Sequence, residues 1–493
     1  MDYNIREMIS IPEEVKSIIN SLQKAGHEAY IVGGSLRDLL RGEKPKDWDV
    51  TTSAKPEEIT KIFPESFYEN KFLTVTVKTG SEDETLKEVE VTTFRAEGKY
   101  TDKRHPDEVR FAKTLEEDLS RRDFTVNALA MDIEGKIIDP FKGEADLNKK
   151  ILRAVGDPKT RFEEDALRML RAVRFSVQLE FGVEEKTKEA IRKLAGNLEF
   201  IAKERIRDEL IKIFETPGAR EGIELLHELG LLKYVMPELE EGIGVENRPK
   251  IFTIWEHNLK ALEYGAKQNF PLDVRIAAVL HDAGKPAAKG PMKNNEWTFY
   301  GHDLIGAKMA TRVLERLHFP KVTIEKIATL IRWHLFKYDP DEGITDSSVR
   351  RLIRRVGVAN MDDLVRLRIC DRMGMGVPKA LPYRLRHFQF RVEKILREEE
   401  APTVKMLKVR GDEVMKILGI QPGPKVGHVL EVLLQEVIDA PEKNSKEVLE
   451  TRTQELGKLS DEELVKMAES SEQKVELMED ERTSAIKAKY YVK

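Results

Sequence analysis

Two aspartates one residue apart, Asp47 and Asp49 in the segment DWDV, have the type and spacing to do chemistry together. Side chains of an extended strand alternate between faces, so Asp47 and Asp49 share one face while Trp48 and Val50 take the other. Carboxylates one pleat apart can share hard cations. A pair of Mg²⁺ ions about 3.5–4 Å apart can activate an attacking hydroxyl and neutralise a leaving pyrophosphate, which is what nucleotidyl transfer needs. Such a site takes a third carboxylate. In EVEVTTF the period of two puts Glu90 on one face with Glu88 and Thr92, so Glu90 is the candidate and Glu88 the alternative. Upstream, Gly33 and Gly34 fall between a strand and a helix N-terminus, where bare N–H groups and the helix dipole favour a triphosphate. Ser35 can add a hydroxyl donor there. A Gly-Gly turn or an isolated Asp-X-Asp is common without function, and it is their order and separation that carry the reading.

These groups need a scaffold. The stretch EVKSIINSLQKAGHEAYIVGGSLRDLLRG reads as a helix, the strand AYIV, a Gly-Gly turn and a second helix opening at Ser35, with Ser35 and Asp38 in capping-box spacing. Strand patterns follow at DWDVTT, FLTVTVKT and KEVEVTTF, interleaved with the helical PEEITKIF. From about Arg161 onward, EEDALRMLRAVRFSVQ, KEAIRKLAGNLEFI, RIRDELIKIF and REGIELLHELGLL carry apolar stripes at 3.6-residue spacing. Breaks at GIGVENRP, Ile243 to Lys250, and around Gly376 to Pro382 divide this helical remainder.

Composition narrows the class. The 493 residues exceed one ordinary core, which points to several domains. With 40% hydrophobic and 35% charged residues, a mean hydropathy of −0.46 and only short apolar runs, no membrane is implied. The start has neither a signal core nor a transit-peptide look, so the cytoplasm is expected. The single cysteine, Cys370, excludes an internal disulfide and any multi-cysteine metal site. A net charge of −5 means that any nucleic-acid binding rests on local basic patches.

The blocks GGSLRDLL, DWDVTT, EVTTFR, RRDFTVNALA and EEDALRMLRAVRF resemble, in order and nearly in wording, those of class II tRNA CCA-adding enzymes and bacterial poly(A) polymerases. The resemblance runs from about Ala29 to Phe175. It implies an α+β fold: a polymerase-beta-like nucleotidyltransferase head with a mixed sheet, residues 1–157, then an all-helical neck, 158–243. It further implies that Asp165 and Arg168 read the Watson–Crick edges of incoming CTP or ATP, although their spacing of three also allows a plain intrahelical ion pair. Arg37, Arg121, Arg122, Asp123 and Asn127 become the residues that handle ribose and triphosphate. The segment AEGKYTDKRHPDEVRF resembles the flexible loop used in switching from C to A addition, with Asp102 and Arg104 as its members to test. ERIRDELIKIF resembles a brace for the base-reading helix through Glu204 and Arg205.

A second cluster comprises His257, His281-Asp282, His302, His334 and Asp371. The order of His257, His281, Asp282 and Asp371 is similar to the ligand set of HD phosphohydrolases, which places an HD domain at 244–378, ahead of a helical tRNA-binding body and tail, 379–493. Imidazole plus carboxylate suits Mn, Ni, Zn or Mg, and Lys285 resembles a phosphate contact. Phosphate contacts to RNA are expected from Arg351, Arg354, Arg355, Arg384 and Arg386. The resemblance implies template-independent addition of CCA to tRNA from CTP and ATP with Mg²⁺ at the head, possible HD-dependent phosphohydrolysis, and no membrane partner. A-only addition, poly(A) synthesis, or an HD phosphohydrolase with a nucleotide-sensing head are the alternatives, and oligomeric state is not legible.

Overall fold

Val15, Ile18, Ile19 and Leu22 recur at helical spacing in α1 (Glu13–Lys24), and all four are buried in the core beneath a seven-stranded sheet. The computed structural model describes residues 10–69, 74–97, 109–248, 252–294, 296–340, 344–375, 383–400 and 404–492. The sheet strands are β1 (Ala29–Val32), β2 (Asp49–Thr52), β3 (Ser66–Glu69), β4 (Thr74–Lys78) and β5 (Glu88–Thr93). After a separate pair, β6 (Arg95–Glu97) and β7 (Val109–Phe111), come β8 (Ala130–Met131) and β9 (Ile137–Ile138). The order is β3-β4-β5-β2-β1-β8-β9. Among the described strands of this sheet only β2 and β5 run parallel, a pairing that needs the crossover through α3 (Pro56–Ile62), β3 and β4. Their register sets Asp49 directly beside Glu90.

The turn after β1 leads into α2 (Gly33–Leu40), which begins two residues before Ser35. Ser35 is therefore not its cap. Its hydroxyl is buried and donates to the Val32 carbonyl at 2.8 Å, closing the turn from inside. The head is completed by α4 (Leu115–Ser120) and α5 (Gly143–Asn148).

Helices dominate from there: α6 (Pro158–Glu164), α7 (Leu167–Leu179), α8 (Glu185–Leu194), α9 (Lys203–Phe214), α10 (Ala219–Glu228) and α11 (Leu232–Val235). A second group is α12 (Ile254–Lys267), α13 (Leu272–Leu280), α14 (Lys285–Ala288), α15 (His302–Arg316) and α16 (Lys321–Trp333). Three two-stranded pairs interrupt this region: Ile151–Leu152 with Gly182–Val183, Glu246–Arg248 with Phe252–Thr253, and Met292–Lys293 with Glu296–Trp297. Among the described residues no helix is long and apolar enough to cross a membrane.

The chain divides into two compact units, and neither is contiguous. The first is Met1–His334 with Arg366–Val377, and the second is Leu335–Val365 with Pro378–Lys493. The second unit contains α17 (Asp346–Val356) and the start of α18 (Met361–Gly374), whose remainder belongs to the first. It continues with α19 (Tyr383–Glu400), α20 (Gly411–Leu418), α21 (Pro424–Asp439), α22 (Lys446–Gly457) and α23 (Asp461–Lys489). Val414, Val429, Leu433, Leu456 and Leu464 form the core of α20 to α23. The end of α23 is fastened to α19: Lys489 Nζ and Tyr490 OH both donate to Glu393, at 2.7 and 2.8 Å.

Candidate functional site

Gly33, Gly34, Arg37, Asp47, Asp49, Glu90, Arg121, Arg122, Asp123, Asn127, Asp165 and Arg168 all line one cleft. Ser35 does not, because its side chain points into the core. Glu88 shares the face of Glu90 but lies one pair further along the strand, opposite Lys78 and beyond the cleft, so of the two it is Glu90 that meets Asp47 and Asp49 there. Trp48 and Val50 are buried in the core, and this fixes Asp49 on the opposite, cleft side. Burial, together with the charges of Asp47 and Glu90, pushes the Asp49 carboxyl up to about 7. Three carboxylates that converge in this way are arranged to hold a divalent cation.

Gly33 is required twice. Its φ of +72° lies in the left-handed region, and a Cβ there would sit 2.9 Å from Asp49 Oδ2 and 3.3 Å from Arg122 Nη1. The backbone of the turn thus comes as close to the carboxylate as it can.

Arginines face these acids from the other wall, and buried carboxylates hold them in place. Asp118 is fully buried; Arg121 donates to it at 2.9–3.0 Å and Arg122 at 3.3 Å. The spacing of Asp118 three and four residues before these arginines was visible in the sequence, although nothing marked it as a holder. Asp123 accepts from Arg171 Nε at 2.8 Å and from Asn127 Nδ2 at 3.1 Å. Burial opposes its charge, but Arg171 and Asn127 outweigh burial and hold the carboxyl at about 2. Asn127 Oδ1 in turn accepts from Arg37 at 2.8 Å. Asp123 therefore orders its neighbours and keeps no capacity for a sugar. Arg171 and Arg174, which sequence reasoning passed over, lie three and six residues beyond Arg168. They flank Phe175, with Arg174 4.1 Å and Arg171 5.3 Å from its ring centre.

Asp165 and Arg168 do not form the intrahelical pair that their spacing allowed. Asp165 sits in the break between α6 and α7 with extended backbone, φ −140°. There it receives Arg205 Nη2 at 2.8 Å and the Leu167 N–H at 3.0 Å. Arg168 instead reaches Glu164 at 2.7 Å and the carbonyls of Arg161 and Arg121. Arg205 on α9 is thus the brace, whereas Glu204 turns to His318. Asp102 and Arg104 lie outside the described residues.

A second polar cluster is buried among α12, α13, α15, α16 and α18. His257 Nε2 stands 3.1 Å from His281 Nε2 and 3.3 Å from both Asp282 Oδ2 and Asp371 Oδ1. His302 and His334 complete it, their Nε2 atoms 3.4 and 3.8 Å from Asp282 Oδ1. His281, His302 and His334 each direct Nδ1 at the carbonyl three residues back, at 2.8, 2.6 and 2.6 Å. That bond places the proton on Nδ1 and leaves Nε2 as a lone pair aimed at the centre. Burial and the neighbouring His281 lower His334 to about 3, so its ring is neutral. The Nε2 atoms of His302 and His334 are buried without a hydrogen-bond partner, facing a carboxylate. A lone pair against an anion is repulsive unless a cation lies between them, so this donor set fits a divalent metal. Two groups sharing His281 have ligand atoms within 4.8 Å of one another: His257, His281 and Asp371, and His281, Asp282 and His334. The sequence named all six residues of the cluster and offered four of them, His257, His281, Asp282 and Asp371, as the ligand set. Lys285 is engaged by Asp282 at 2.5 Å and Asn247 at 2.9 Å.

Family models match three segments: a poly A polymerase head domain over 29–153, a probable RNA and SrmB-binding site of polymerase A over 180–243, and an HD domain over 254–373. The chain is 33% identical over 441 residues to a CCA-adding enzyme of Geobacillus sp. (strain WCH70), covering 88% of this chain and 95% of that one. It is 36% identical over 332 residues to an A-adding tRNA nucleotidyltransferase of Deinococcus radiodurans, covering 65% and 75%. With the CCA-adding enzyme of Lactobacillus helveticus it is 50% identical over 209 residues, and that match spans only about half of the relative, 51%. The solved structure of a Bacillus stearothermophilus CCA-adding enzyme in complex with CTP superposes with a TM-score of 0.59 at 29% identity, covering 90% of this chain and 96% of that one. This chain belongs to the CCA-adding enzyme family of tRNA nucleotidyltransferases and carries an HD domain.

Proposed function

We propose that this protein adds CCA to the 3′ end of tRNA, using CTP and ATP without a nucleic-acid template. The observation that carries the reading is one cleft that joins the Asp47, Asp49 and Glu90 carboxylates to Asp165 and Arg168. Asp47, Asp49 and Glu90 would hold Mg²⁺, which supplies activation of the attacking 3′-hydroxyl and neutralisation of the leaving pyrophosphate. Arg121 and Arg122, held by Asp118, meet the triphosphate from the opposite wall, beside the Gly33–Gly34 backbone. Asp165, braced by Arg205, accepts from the exocyclic amino group that cytosine and adenine share, and Arg168 donates to ring acceptors. A base without that amino group leaves the carboxylate unmatched, which accounts for selection of C and A. We assign residues 1–157 to the catalytic head, 158–243 to the neck that carries the base-reading residues, 244–378 to the HD domain and 379–493 to the body, with action on tRNA in the cytoplasm.

The test uses tRNA transcripts ending at the discriminator base, in C and in CC, with CTP and ATP supplied separately. CCA addition predicts extension by two C with CTP alone and by one A only on the CC end. An enzyme that adds A to CC ends but nothing to the others would follow the Deinococcus radiodurans relative instead, and continued A addition would make it a poly(A) polymerase.

The unpaired His302 and His334 nitrogens favour a second activity. We propose that the HD domain hydrolyses phosphomonoesters or cyclic phosphates; a divalent ion bound there (Mn, Ni, Zn or Mg) supplies an activated water. Asp282→Ala is expected to abolish that hydrolysis and the bound metal, read by elemental analysis, while incorporation of CTP continues. Joint loss of both activities would show that the sites are not independent.

A further inference from the structure

The two carboxylates of the buried histidine cluster use their oxygens differently. Asp282 turns both inward: Oδ2 to His257 and His281, at 3.3 and 3.4 Å, and Oδ1 to His302 and His334, at 3.4 and 3.8 Å. Asp371 divides its pair. Oδ1 stands 3.3 Å from His257 Nε2 and 3.6 Å from His281 Nε2, whereas Oδ2 accepts from Arg368 Nη1 at 2.7 Å. Arg368 precedes Asp371 by three residues on α18, the spacing that brings two side chains of a helix together. On an open helix face such a pair would mean little. Here only 15% of the Asp371 side chain reaches solvent, and its inner oxygen belongs to a donor group with His257 and His281.

Asp371 is also the most open of the six residues, so it is the one that packing alone holds least. His281, His302 and His334 are held through Nδ1, and Asp282 is held by Lys285, which Asn247 fixes in turn. A carboxylate free to rotate would offer the cluster either oxygen. The Arg368 guanidinium draws one outward and so leaves the other facing the histidines. Each carboxylate is therefore matched by a cation three residues away, and Asp303, beside His302, is taken up by Arg332. Histidines that ligate a metal are neutral, so the charge of a bound divalent ion stays uncompensated within this group. That balance suits the nearly two negative charges of a phosphomonoester better than the single charge of a phosphodiester. Arg368, with 34% of its side chain in solvent, stands on the open side of the cluster.

We propose that Arg368 is a positioning residue of the HD centre: it fixes Asp371 for metal binding and, with Lys285, makes the site selective for phosphomonoester dianions over phosphodiesters. This deepens the reading of the HD domain as a phosphohydrolase and rests on it. Metal and ligand binding are therefore measured without turnover. A wild-type protein that binds as expected but hydrolyses neither phenyl phosphate nor diphenyl phosphate would overturn the hydrolase reading alone.

The full-length, metal-free protein is titrated with Mn²⁺ in a D47A/D49A background, which removes the head carboxylates from the isotherm, and D371A in that background marks the part that belongs to the HD centre. R368Q is expected to raise the Kd for Mn²⁺ by about 10- to 100-fold, the cost of losing the outer partner of a ligand. R368K recovers most of the affinity, because its ammonium can donate to the same oxygen. On the Mn²⁺-loaded proteins at pH 8.5, phenylphosphonate, a dianion, binds more tightly than its monomethyl ester, and R368Q cuts that preference by about fivefold as one balancing charge is lost. Unchanged Mn²⁺ affinity in R368Q would overturn the proposal, and so would an unchanged preference for phenylphosphonate. Equal losses in R368Q and R368K, with a lower melting temperature of the metal-free protein, would make Arg368 a packing residue and overturn it as well.

Discussion

Asp49→Asn is expected to lower kcat for nucleotide incorporation by at least about 10³-fold, because removing a cation ligand forfeits several kcal/mol of transition-state stabilisation. The same change should make the metal-free protein more stable above pH 7. The Asp49 carboxyl is raised to about 7 by burial and by Asp47 and Glu90. A carboxyl whose folded pKa lies above its unfolded value costs stability when ionised; that cost is present above about pH 7 and is relieved as pH falls below it. An amide removes the cost without titrating. The wild-type affinity for Mg²⁺ should also weaken as pH falls below 7, when protons compete for the carboxylate. Single-turnover kinetics, Mg²⁺ titration and melting at pH 6 and pH 8 check all three, and wild-type-like turnover by Asp49→Asn would sink the assignment of the three carboxylates as metal holders.

Asp165→Ala should reduce kcat/KM for CTP and ATP by about 5- to 150-fold, the 1–3 kcal/mol of a base-edge contact, and narrow the preference over UTP and GTP by a similar factor. Arg205→Ala should produce the same loss of preference at smaller size, because it frees Asp165 to swing without removing its carboxylate. The ratio of kcat/KM values for CTP and UTP separates this role from general destabilisation, which would lower both alike. A ratio unchanged in Asp165→Ala would remove Asp165 from base selection.

The head was legible because its chemistry is local: a Gly-Gly turn and an Asp-X-Asp strand announce themselves within a few residues. The parallel neighbour of that strand was legible too, since Glu90 lies on a period-2 segment with one polar face. What resisted reading were contacts made by tertiary closure. Asp165 looked helical because its surroundings are strong helix formers, yet it occupies a break where Arg205, forty residues on, claims its carboxylate. Ser35 looked like a cap because serine usually is one, but Gly33 can adopt a positive φ and lets the helix begin earlier. His302 and His334 were named in the cluster, His302 with Asp303 beside it, but only the packing of α15 and α16 brings their nitrogens to Asp282.

The chain path through the two units has a practical corollary for dissection by truncation. A fragment that stops at His334 keeps five of the six residues of the buried histidine cluster but loses Asp371, which arrives only after the excursion 335–365. His257 and His281 would then lack one of their two carboxylate neighbours, and α12 would lose the Gly374 end of α18, whose backbone passes so close to it that a Cβ would come within 3.0 Å of the His257 carbonyl. A cut after Val377 keeps all six residues but leaves the excursion 335–365 without the rest of its unit. A fragment free of that excursion needs internal splicing that bridges residue 334 to residue 366.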